Sequence, residues 1–327
     1  MPDKLVLGLD IGGTSTRAVL AAPDGHRLGT GRAGGGNPTT HGAAALTELS
    51  AAVRDALADV DPGDVTGAVL GMAGYTKLDA DAALRDAFHQ AWGATGLRCE
   101  PQLVSDVLAA YAAGTPDPDG TVVVAGTGAI AARVRGHRLD HVADGHGWLL
   151  GDLGSGYWLG REAVRAALRD LDKERAPSPL AAGVLTELLG TAELAPRRRD
   201  TAAALVQAVV KAPPIALARL APLVLGFYDA DDPAAVDLVQ RGAAHLADTV
   251  AMVREPGETS VLVRGGGLLT NDTPLAAELS AAIAVSWPDT VLRPAGDAAA
   301  AAAWLAALPS SPDPAALHSA LLAPTGF

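Results

Sequence analysis

Short apolar segments separated by turn-forming residues open the chain, and apolar residues at helical spacing follow them. Leu46, Leu49 and Val53 fall on one face of a helix, which predicts a helix over residues 43–58. Strands that alternate with helices after an antiparallel start indicate an α/β fold. The strands predicted in this part are Leu5–Leu9, Arg17–Leu20, His26–Arg32, Gly67–Leu70 and Leu103–Val104, and further helices are predicted over 79–92 and from Asp106.

The same plan of strands and helices returns about 115 residues later, from Thr121 onward. A repeat of this length predicts two related lobes rather than a solenoid of short units. We expect an N-terminal lobe over residues 1–115 and a C-terminal lobe with a helical insertion over 116–297. An alanine-rich helix over about 298–312 is expected to pack back on the first lobe. Gly114–Gly120, with two prolines and two aspartates, is the predicted linker.

Composition and charge restrict the classes of function. The 327 residues are 49% hydrophobic and carry a formal net charge of −12, which argues against a nucleic-acid partner because phosphates demand a basic face. Cys99 is the only cysteine, so neither an internal disulfide nor a cysteine-ligated cluster can form within one chain. The longest apolar stretch, residues 298–308, is about half of what a membrane span needs. We therefore expect a soluble, cytoplasmic protein without a membrane partner.

Three glycine-rich turns each follow a predicted strand: Asp10–Thr14, Gly126–Gly128 and Gly265–Gly267. Glycine lets the backbone approach a ligand closely, and successive N–H groups form an anion-binding nest. One such turn is an ordinary hairpin connection, but three of them indicate phosphate binding. The chain has no GxxxxGK[ST] sequence, which excludes a P-loop enzyme. The GxGxxG match at Gly29–Gly34 has no strand–helix junction and is interpreted as a strand edge.

The turns carry a resemblance to a known superfamily. Asp10–Arg17 resembles the first phosphate loop of the acetate and sugar kinase, heat-shock chaperone and actin superfamily, and Gly126–Gly128 resembles the second. Val261–Leu268 is similar to the adenosine-contacting segment of that superfamily. Gly145–Trp158 is similar to a stretch typical of N-acetylglucosamine kinases, within the BadF/BadG/BcrA/BcrD-type ATPase family. The resemblance covers nearly the whole chain.

The resemblance implies a fold and an activity. The fold would be α/β, with two actin-like (ribonuclease H-like) lobes and an active-site cleft between them. The activity would be the ATP- and Mg²⁺-dependent phosphorylation of an amino sugar hydroxyl, with the 6-hydroxyl as the expected acceptor. Phosphoryl transfer needs charge neutralisation and positioning more than covalent help, and glycine-rich turns with aspartates supply both.

The resemblance also implies roles for individual residues. Asp10 would position Mg²⁺ through water, and Asp106 would accept the proton of the attacking hydroxyl. Taken alone, Asp106 is a helix cap, Asp10 ends an edge strand, and Asn37 is a turn residue before a proline. The expected nucleotide-binding residues are Asp10, Gly12, Gly13, Thr14, Thr127, Gly128, Gly265, Gly266 and Gly267, and the expected acceptor-binding residues are Asn37, Asp106, Gly145, His146 and Asp152.

Three departures from the family pattern leave the acceptor open. Leu153 stands where these kinases usually carry Glu, His146 where they carry Trp, and Ala129 where they carry Ser. N-acetylglucosamine and glucosamine are the leading acceptors, and other hexoses and cyclitols remain alternatives. The oligomeric state stays open, with a homodimer among the options.

Three other functions compete with the kinase interpretation. An activator ATPase holds an iron–sulfur cluster between two subunits, but Cys99 would give only two of the four cysteines such clusters usually need. A non-catalytic nucleotide-binding protein gives no reason for Asp106 or Asp152. A regulator of the sugar-kinase type would need a basic helix-turn-helix module, which this acidic chain lacks.

Overall fold

The computed structural model describes residues 4–75, 78 and 80–323. These residues form two compact units. Unit 1 comprises the described residues of Met1–Pro118, Val134–Arg138 and Ala295–Phe327, and unit 2 comprises Asp119–Arg133 and Leu139–Pro294.

Unit 1 contains a five-stranded sheet in the order β3-β2-β1-β4-β5. Strands β1, β2 and β3 pair antiparallel, while β4 and β5 continue the sheet parallel to β1. This topology confirms the antiparallel start that the sequence predicts, and it makes β1 a central strand rather than an edge strand. The bounds are β1 Leu5–Ile11, β2 Thr16–Ala21, β3 Arg27–Ala33, β4 Val65–Met72 and β5 Pro101–Val104.

Strand β1 is buried on both of its faces, which explains its nearly continuous apolar sequence. Leu7 and Leu9 join a core with helix Ala45–Leu57, whereas Val6 joins a second core with helix Ala298–Ala307. Gly8 lies on the second face, where a Cβ atom would overlap Ala303 N. A glycine at this position therefore allows the alanine-rich helix to lie directly on the sheet.

Unit 2 repeats this sheet in the order β8-β7-β6-β9-β10. Read from β3 and from β8, the two sheets have the same order of strands relative to the chain. The predicted structural repeat and the two-lobed α/β class are thereby confirmed. The bounds are β6 Gly120–Ala125, β7 Ala129–Arg135, β8 Arg138–Asp144, β9 Leu262–Gly265 and β10 Leu292–Pro294.

Most helices begin at a residue whose side chain accepts a backbone N–H of the first turn. Ser155, Ser178, Asp232 and Thr273 cap four helices of unit 2 in this way. The α-helices of unit 2 are Gly156–Asp172, Pro179–Leu189, Arg198–Lys211, Ala221–Asp229, Pro233–Val253, Gly267–Thr270 and Pro274–Ser286; those of unit 1 are Pro38–His41, Ala45–Leu57, Ala82–Gly93, Asp106–Ala112, Ala298–Ala307 and Pro314–Leu321.

Several helices differ from the sequence-based expectation. The helix expected from residue 79 begins at Ala82 after its cap Asp81, and residue 79 itself lies outside the described residues. Helices Ala221–Asp229 and Pro314–Leu321 were not predicted at all. Each has a proline in its first turn, where a backbone N–H would have no acceptor within the helix. Proline usually indicates a helix break, but at this position it is compatible with the start of a helix.

No single helix among the described residues is long and apolar enough to cross a membrane. Helix Arg198–Lys211 and the segment Pro214–Asp229, a 3-10 helix over Pro214–Leu220 followed by helix Ala221–Asp229, pass such a test only as a pair, with a bend of 113° between them.

Candidate functional site

The candidate site residues of unit 1 lie where its parallel strands end. Asp10 is near the end of β1, and Asp106 follows β5 by two residues, with β4 between these strands. On β4, Gly71 pairs with both Asp10 and Val104. A Cβ atom on Gly71 would lie 2.8 Å from Ala109 Cβ, so the glycine lets helix Asp106–Ala112 approach the sheet. The carboxyl edge of a sheet is the usual place for ligand binding in open α/β folds.

Asp10 is paired with a cation on the neighbouring strand. Arg17 Nη2 lies 2.6 Å from Asp10 Oδ2, and the two residues are cross-strand partners. The Asp10 carboxylate remains partly exposed. Among the described residues no group of three or more His, Cys, Asp or Glu side chains could hold a metal ion by itself. A single, partly exposed carboxylate suits Mg²⁺, which usually keeps several waters and takes its other ligands from substrate phosphates, but here Arg17 already pairs with that carboxylate.

The first glycine-rich turn is closed, and His41 at the end of helix Pro38–His41 contacts it. Gly12 N donates to Ser15 O at 2.9 Å, and the Thr14 side chain is exposed. His41 Nε2 lies 2.6 Å from Gly13 O. Asn37 is buried, and its Nδ2 donates to Ala73 O at 3.0 Å, just beyond the end of β4. The structure therefore brings Asn37 to the same sheet edge as Asp10.

Asp106 is not the cap of its helix. Ser105 occupies the N-cap position, and its Oγ accepts the Val107 N–H at 3.2 Å. Burial raises the pKa of the Asp106 carboxyl, and the nearby charge of Asp10 raises it further. Hydrogen bonds from the Ser105 hydroxyl and the Val107 N–H oppose this rise without cancelling it. Ser105 therefore holds the N-cap position, while Asp106 Oδ1 shares the Val107 N–H at 3.0 Å. A carboxyl with raised pKa is suited to accept a proton.

The second and third glycine-rich turns of unit 2 border one cavity. The cavity has a volume of about 200 Å³. Gly156 N donates to Gly126 O at 2.8 Å, so helix Gly156–Asp172 begins against the second turn. The residues that line the cavity are Gly126, Thr127, Gly156, Ala218, Ala221, Pro222, Gly267 and Leu268.

The glycines of these turns differ in what requires them. Gly266 has φ +81°, and a Cβ atom there would overlap Ala125 O, so the fold itself demands glycine. Gly126 has no protein atom within 4 Å of the Cβ position, and Gly267 has only Asn271 Nδ2 at 3.9 Å. Neither of these two has φ in the left-handed region. Both glycines line the cavity and have open space at the Cβ position, which suits a ligand held close to the backbone.

The remaining candidate residues of unit 2 lie on the loop after β8. Asp152 is 7% exposed, and its Oδ1 accepts the Ala129 N–H at 3.1 Å. Burial raises the pKa of Asp152, whereas the hydrogen bond from Ala129 lowers it. Because Ala129 contributes through its backbone, the absence of a serine side chain there does not disturb this link. His146 is exposed, and Leu153 is 38% exposed, so Leu153 is not a core residue.

A larger cavity of about 520 Å³ lies elsewhere, on the β2–β3 side of unit 1. Arg17, Arg27 and Arg32 line it together with Asp55 and Asp297. It contains none of the site residues expected from the sequence, and Arg27 is already paired with Asp297 at 3.0 Å.

Comparison with known proteins identifies the family of the chain. A model of the BadF/BadG/BcrA/BcrD ATPase family matches residues 7–285, so the chain belongs to this family. An N-acetyl-D-glucosamine kinase of Dictyostelium discoideum is 27% identical over 204 residues, which are 59% of this chain and 63% of that protein. An N-acetylmuramic acid/N-acetylglucosamine kinase of Clostridium acetobutylicum is 30% identical over 104 residues, which are 32% and 33%. The matches span less than two thirds of the length of these curated relatives.

Solved structures agree with this placement. A candidate N-acetylglucosamine kinase from Chromobacterium violaceum is 26% identical, with a TM-score of 0.72 over 93% of this chain and 99% of that one. A glucokinase of the ROK family from Streptomyces griseus, solved with glucose and AMPPNP, is 20% identical with a TM-score of 0.56 over 92% and 99%, and it shows the fold alone. The family and the fold that the sequence motifs predict are therefore confirmed.

Proposed function

We propose that this protein is an ATP-dependent kinase that phosphorylates the 6-hydroxyl of an amino-hexose, with N-acetylglucosamine or glucosamine as acceptor. The observation that carries the proposal is Asp106, a carboxyl of raised pKa beside Asp10 at the carboxyl edge of the unit 1 sheet. Similarity to proteins named as N-acetylglucosamine kinases supports the same reaction class. Other hexoses and cyclitols are the alternative acceptors.

Unit 2 would bind ATP. The cavity between the second and third glycine-rich turns has apolar walls at Ala218, Ala221 and Leu268, which suit a nucleobase or ribose face. The amides of Thr127 and Gly128 would hold phosphate oxygens, as successive N–H groups do in anion nests. Gly126 and Gly267 keep the space in front of the backbone open.

Unit 1 would supply the groups that act on the transferred phosphoryl and the acceptor. Asp10 would hold Mg²⁺ through water, and the metal would neutralise charge on the β- and γ-phosphates when bound. The amides of Gly13 and Thr14 would hold phosphate oxygens, while the Gly12 amide closes the turn by donating to Ser15 O. Asp106 would orient the acceptor hydroxyl and take its proton as the new P–O bond forms.

In each unit by itself, the proposed acceptor ligands are polar residues. Asn37 of unit 1 is buried at the same sheet edge as Asp10, and its side-chain oxygen could accept from a sugar hydroxyl. In unit 2 the backbone of Gly145, the His146 ring and the Asp152 carboxylate belong to the loop that resembles N-acetylglucosamine kinases. A set of hydrogen-bonding groups of this kind rejects acceptors that lack the matching hydroxyl, because the protein groups would be left unpaired.

A coupled ADP-release screen over about a dozen hexoses, aminohexoses and cyclitols tests the proposal, with the Asp106→Asn variant as the chemical control. We expect Mg²⁺-dependent ADP release that an aminohexose stimulates and that the variant loses. If no sugar raises ADP release above the sugar-free rate, the proposed kinase activity is wrong. If Asp106→Asn leaves the rate of ADP release unchanged, Asp106 is not the general base.

A further inference from the structure

The carboxylate of Asp144, at the end of β8, accepts hydrogen bonds from backbone amides of the loop that follows. Asp144 Oδ1 accepts the Asp152 N–H at 2.8 Å, and Oδ2 accepts the Leu153 N–H at 3.0 Å. The His146 N–H points at Oδ1 from 3.5 Å. One side chain thus fixes both ends of the segment from Gly145 to Leu153. Charged acceptors make stronger hydrogen bonds to amides than neutral ones do.

The backbone conformation around Asp144 supports these hydrogen bonds between its carboxylate and the loop amides. Asp144 has φ +60° and Asp152 has φ +56°, a region that non-glycine residues rarely adopt without local hydrogen bonds. Gly151 lies directly against the carboxylate, since a Cβ atom there would overlap Asp144 Oδ1. Gly151 does not have φ in the left-handed region, so the close approach of Asp144, and not the backbone conformation, requires glycine here.

The loop that Asp144 holds carries candidate acceptor ligands. Asp152 turns its carboxylate toward the second glycine-rich turn, where it accepts the Ala129 N–H at 3.1 Å. A Cβ atom on Gly128 would lie 2.9 Å from Asp152 Oδ1, so this turn and the loop are in direct contact. The position of Asp152 therefore depends on two contacts: its own N–H on Asp144, and its carboxylate on Ala129.

We infer that Asp144 is a positioning residue for the acceptor: its carboxylate fixes the 145–153 loop so that His146 and Asp152 face the sugar. The inference rests on the proposed function. Asp144 would act on the acceptor through the loop, because both of its carboxylate oxygens accept loop amides. Removing it should weaken acceptor binding and leave ATP binding at the cavity of unit 2 unchanged.

The test compares Asp144→Ala and Asp144→Asn with Asp140→Ala, a matched control on the same strand whose carboxylate bonds Arg133 at 2.7 Å. Steady-state kinetics with N-acetylglucosamine and glucosamine should show the acceptor KM of Asp144→Ala raised about tenfold or more, the size expected for losing a hydrogen bond to a charged group. The KM for ATP should change less than about threefold, a difference of less than one such hydrogen bond. Asp144→Asn, which keeps one acceptor oxygen, should fall between wild type and Asp144→Ala.

A double-mutant cycle with Gly151→Ala isolates the contact. In the wild-type background the added methyl group displaces the carboxylate, so the acceptor KM should rise as in Asp144→Ala. In the Asp144→Ala background the overlapping oxygen is gone and only the contact with His146 Cβ at 3.0 Å remains, so the same methyl group should raise KM much less than it does in the wild-type background. Equal effects of Gly151→Ala in both backgrounds would overturn the inference.

Amide hydrogen exchange separates this inference from the proposed function. The amides of Asp152 and Leu153 should be protected in wild type and in Asp140→Ala, and should lose protection in Asp144→Ala. Unchanged protection would show that Asp144 does not hold the loop, and an active enzyme with lost protection but unchanged acceptor KM would show that it does not serve the acceptor. A wild-type protein inactive on every sugar overturns the proposed function instead, and exchange then decides whether Asp144 holds the loop.

Discussion

Replacing Gly267 with alanine should weaken ATP binding without weakening the fold. Gly267 lines the cavity of about 200 Å³ between the second and third glycine-rich turns. The nearest protein atom to an added methyl group would be Asn271 Nδ2 at 3.9 Å, an ordinary contact distance. The methyl group would therefore point into space that the protein leaves open, and only a bound ligand would meet it.

The expected size follows from packing energetics. One methyl group forced into a well-packed contact costs about 1–3 kcal/mol, so ATP affinity should fall roughly 5- to 150-fold. Stability should not fall, because the added methyl group meets no protein atom closer than 3.9 Å and alanine leaves the unfolded chain less conformational freedom than glycine does. Gly266 offers the opposite case: its φ of +81° and its overlap with Ala125 O mean that Gly266→Ala should lower the melting temperature.

Calorimetric titration with a non-hydrolysable ATP analogue, together with thermal unfolding, measures both quantities. Gly226→Ala is the matched control, since Gly226 is helical, has no atom within 4 Å of the Cβ position and does not line the cavity. We expect unchanged affinity in the control and lowered affinity in Gly267→Ala. Equal affinity in Gly267→Ala and wild type, with both proteins folded, would refute the assignment of the cavity to the nucleotide.

Four further predictions concern Asp106 and the acceptor side. Asp106→Asn should lower kcat by roughly 10²–10⁴, while Asp81→Ala, which removes the cap of helix Ala82–Gly93, should cost about 0.5–2 kcal/mol of stability and leave kcat unchanged. Because burial raises the pKa of Asp106, its ionisation as pH rises destabilises the folded wild-type protein. The melting temperature of Asp106→Asn relative to that of wild type should therefore increase between acidic and neutral pH. Ser105→Ala removes a hydrogen bond that lowers the Asp106 pKa, so the acid limb of its kcat/KM profile should move to higher pH; an unmoved limb would contradict Asp106 as the base. Leu153→Glu should fold normally because Leu153 is 38% exposed. In competition assays the variant should favour cationic glucosamine over N-acetylglucosamine more than wild type does, as measured by the ratio of the two kcat/KM values. A folded variant in which this ratio is unchanged would show that Leu153 does not contribute to acceptor selectivity.

The sequence predicts the fold well where local signals and tertiary structure agree. The apolar spacing of Leu46, Leu49 and Val53 predicts a helix, and all three residues are buried in helix Ala45–Leu57. The glycine-rich turns predict sheet connections at the ends of β1, β6 and β9, and the structure has them there. Helices Ala221–Asp229 and Pro314–Leu321 are not predicted from the sequence, because a proline alone does not distinguish the start of a helix from a break in one.

The site is less predictable because its roles depend on contacts between distant residues. Motif resemblance points to Asp152 but not to Asp144, since the role of Asp144 depends on a left-handed backbone and on amides eight and nine residues away. Gly71 has no motif of its own, and its importance comes from the helix packed against it. Only an Asp-Gly pair at the end of a predicted strand signals Asp144 in advance, and such pairs are also common in ordinary turns.

Proton-coupled ³¹P NMR of the reaction with ATP, Mg²⁺ and N-acetylglucosamine or glucosamine tests the central claim most directly. A phosphoryl group on the 6-hydroxyl is coupled to the two protons of C6, so the proposal predicts a new phosphomonoester triplet that grows as ATP is converted to ADP. A doublet would place the phosphoryl group on a ring or anomeric carbon and contradict the assigned position. Inorganic phosphate alone, with no coupled phosphomonoester from any sugar that stimulates turnover, would contradict the kinase account itself.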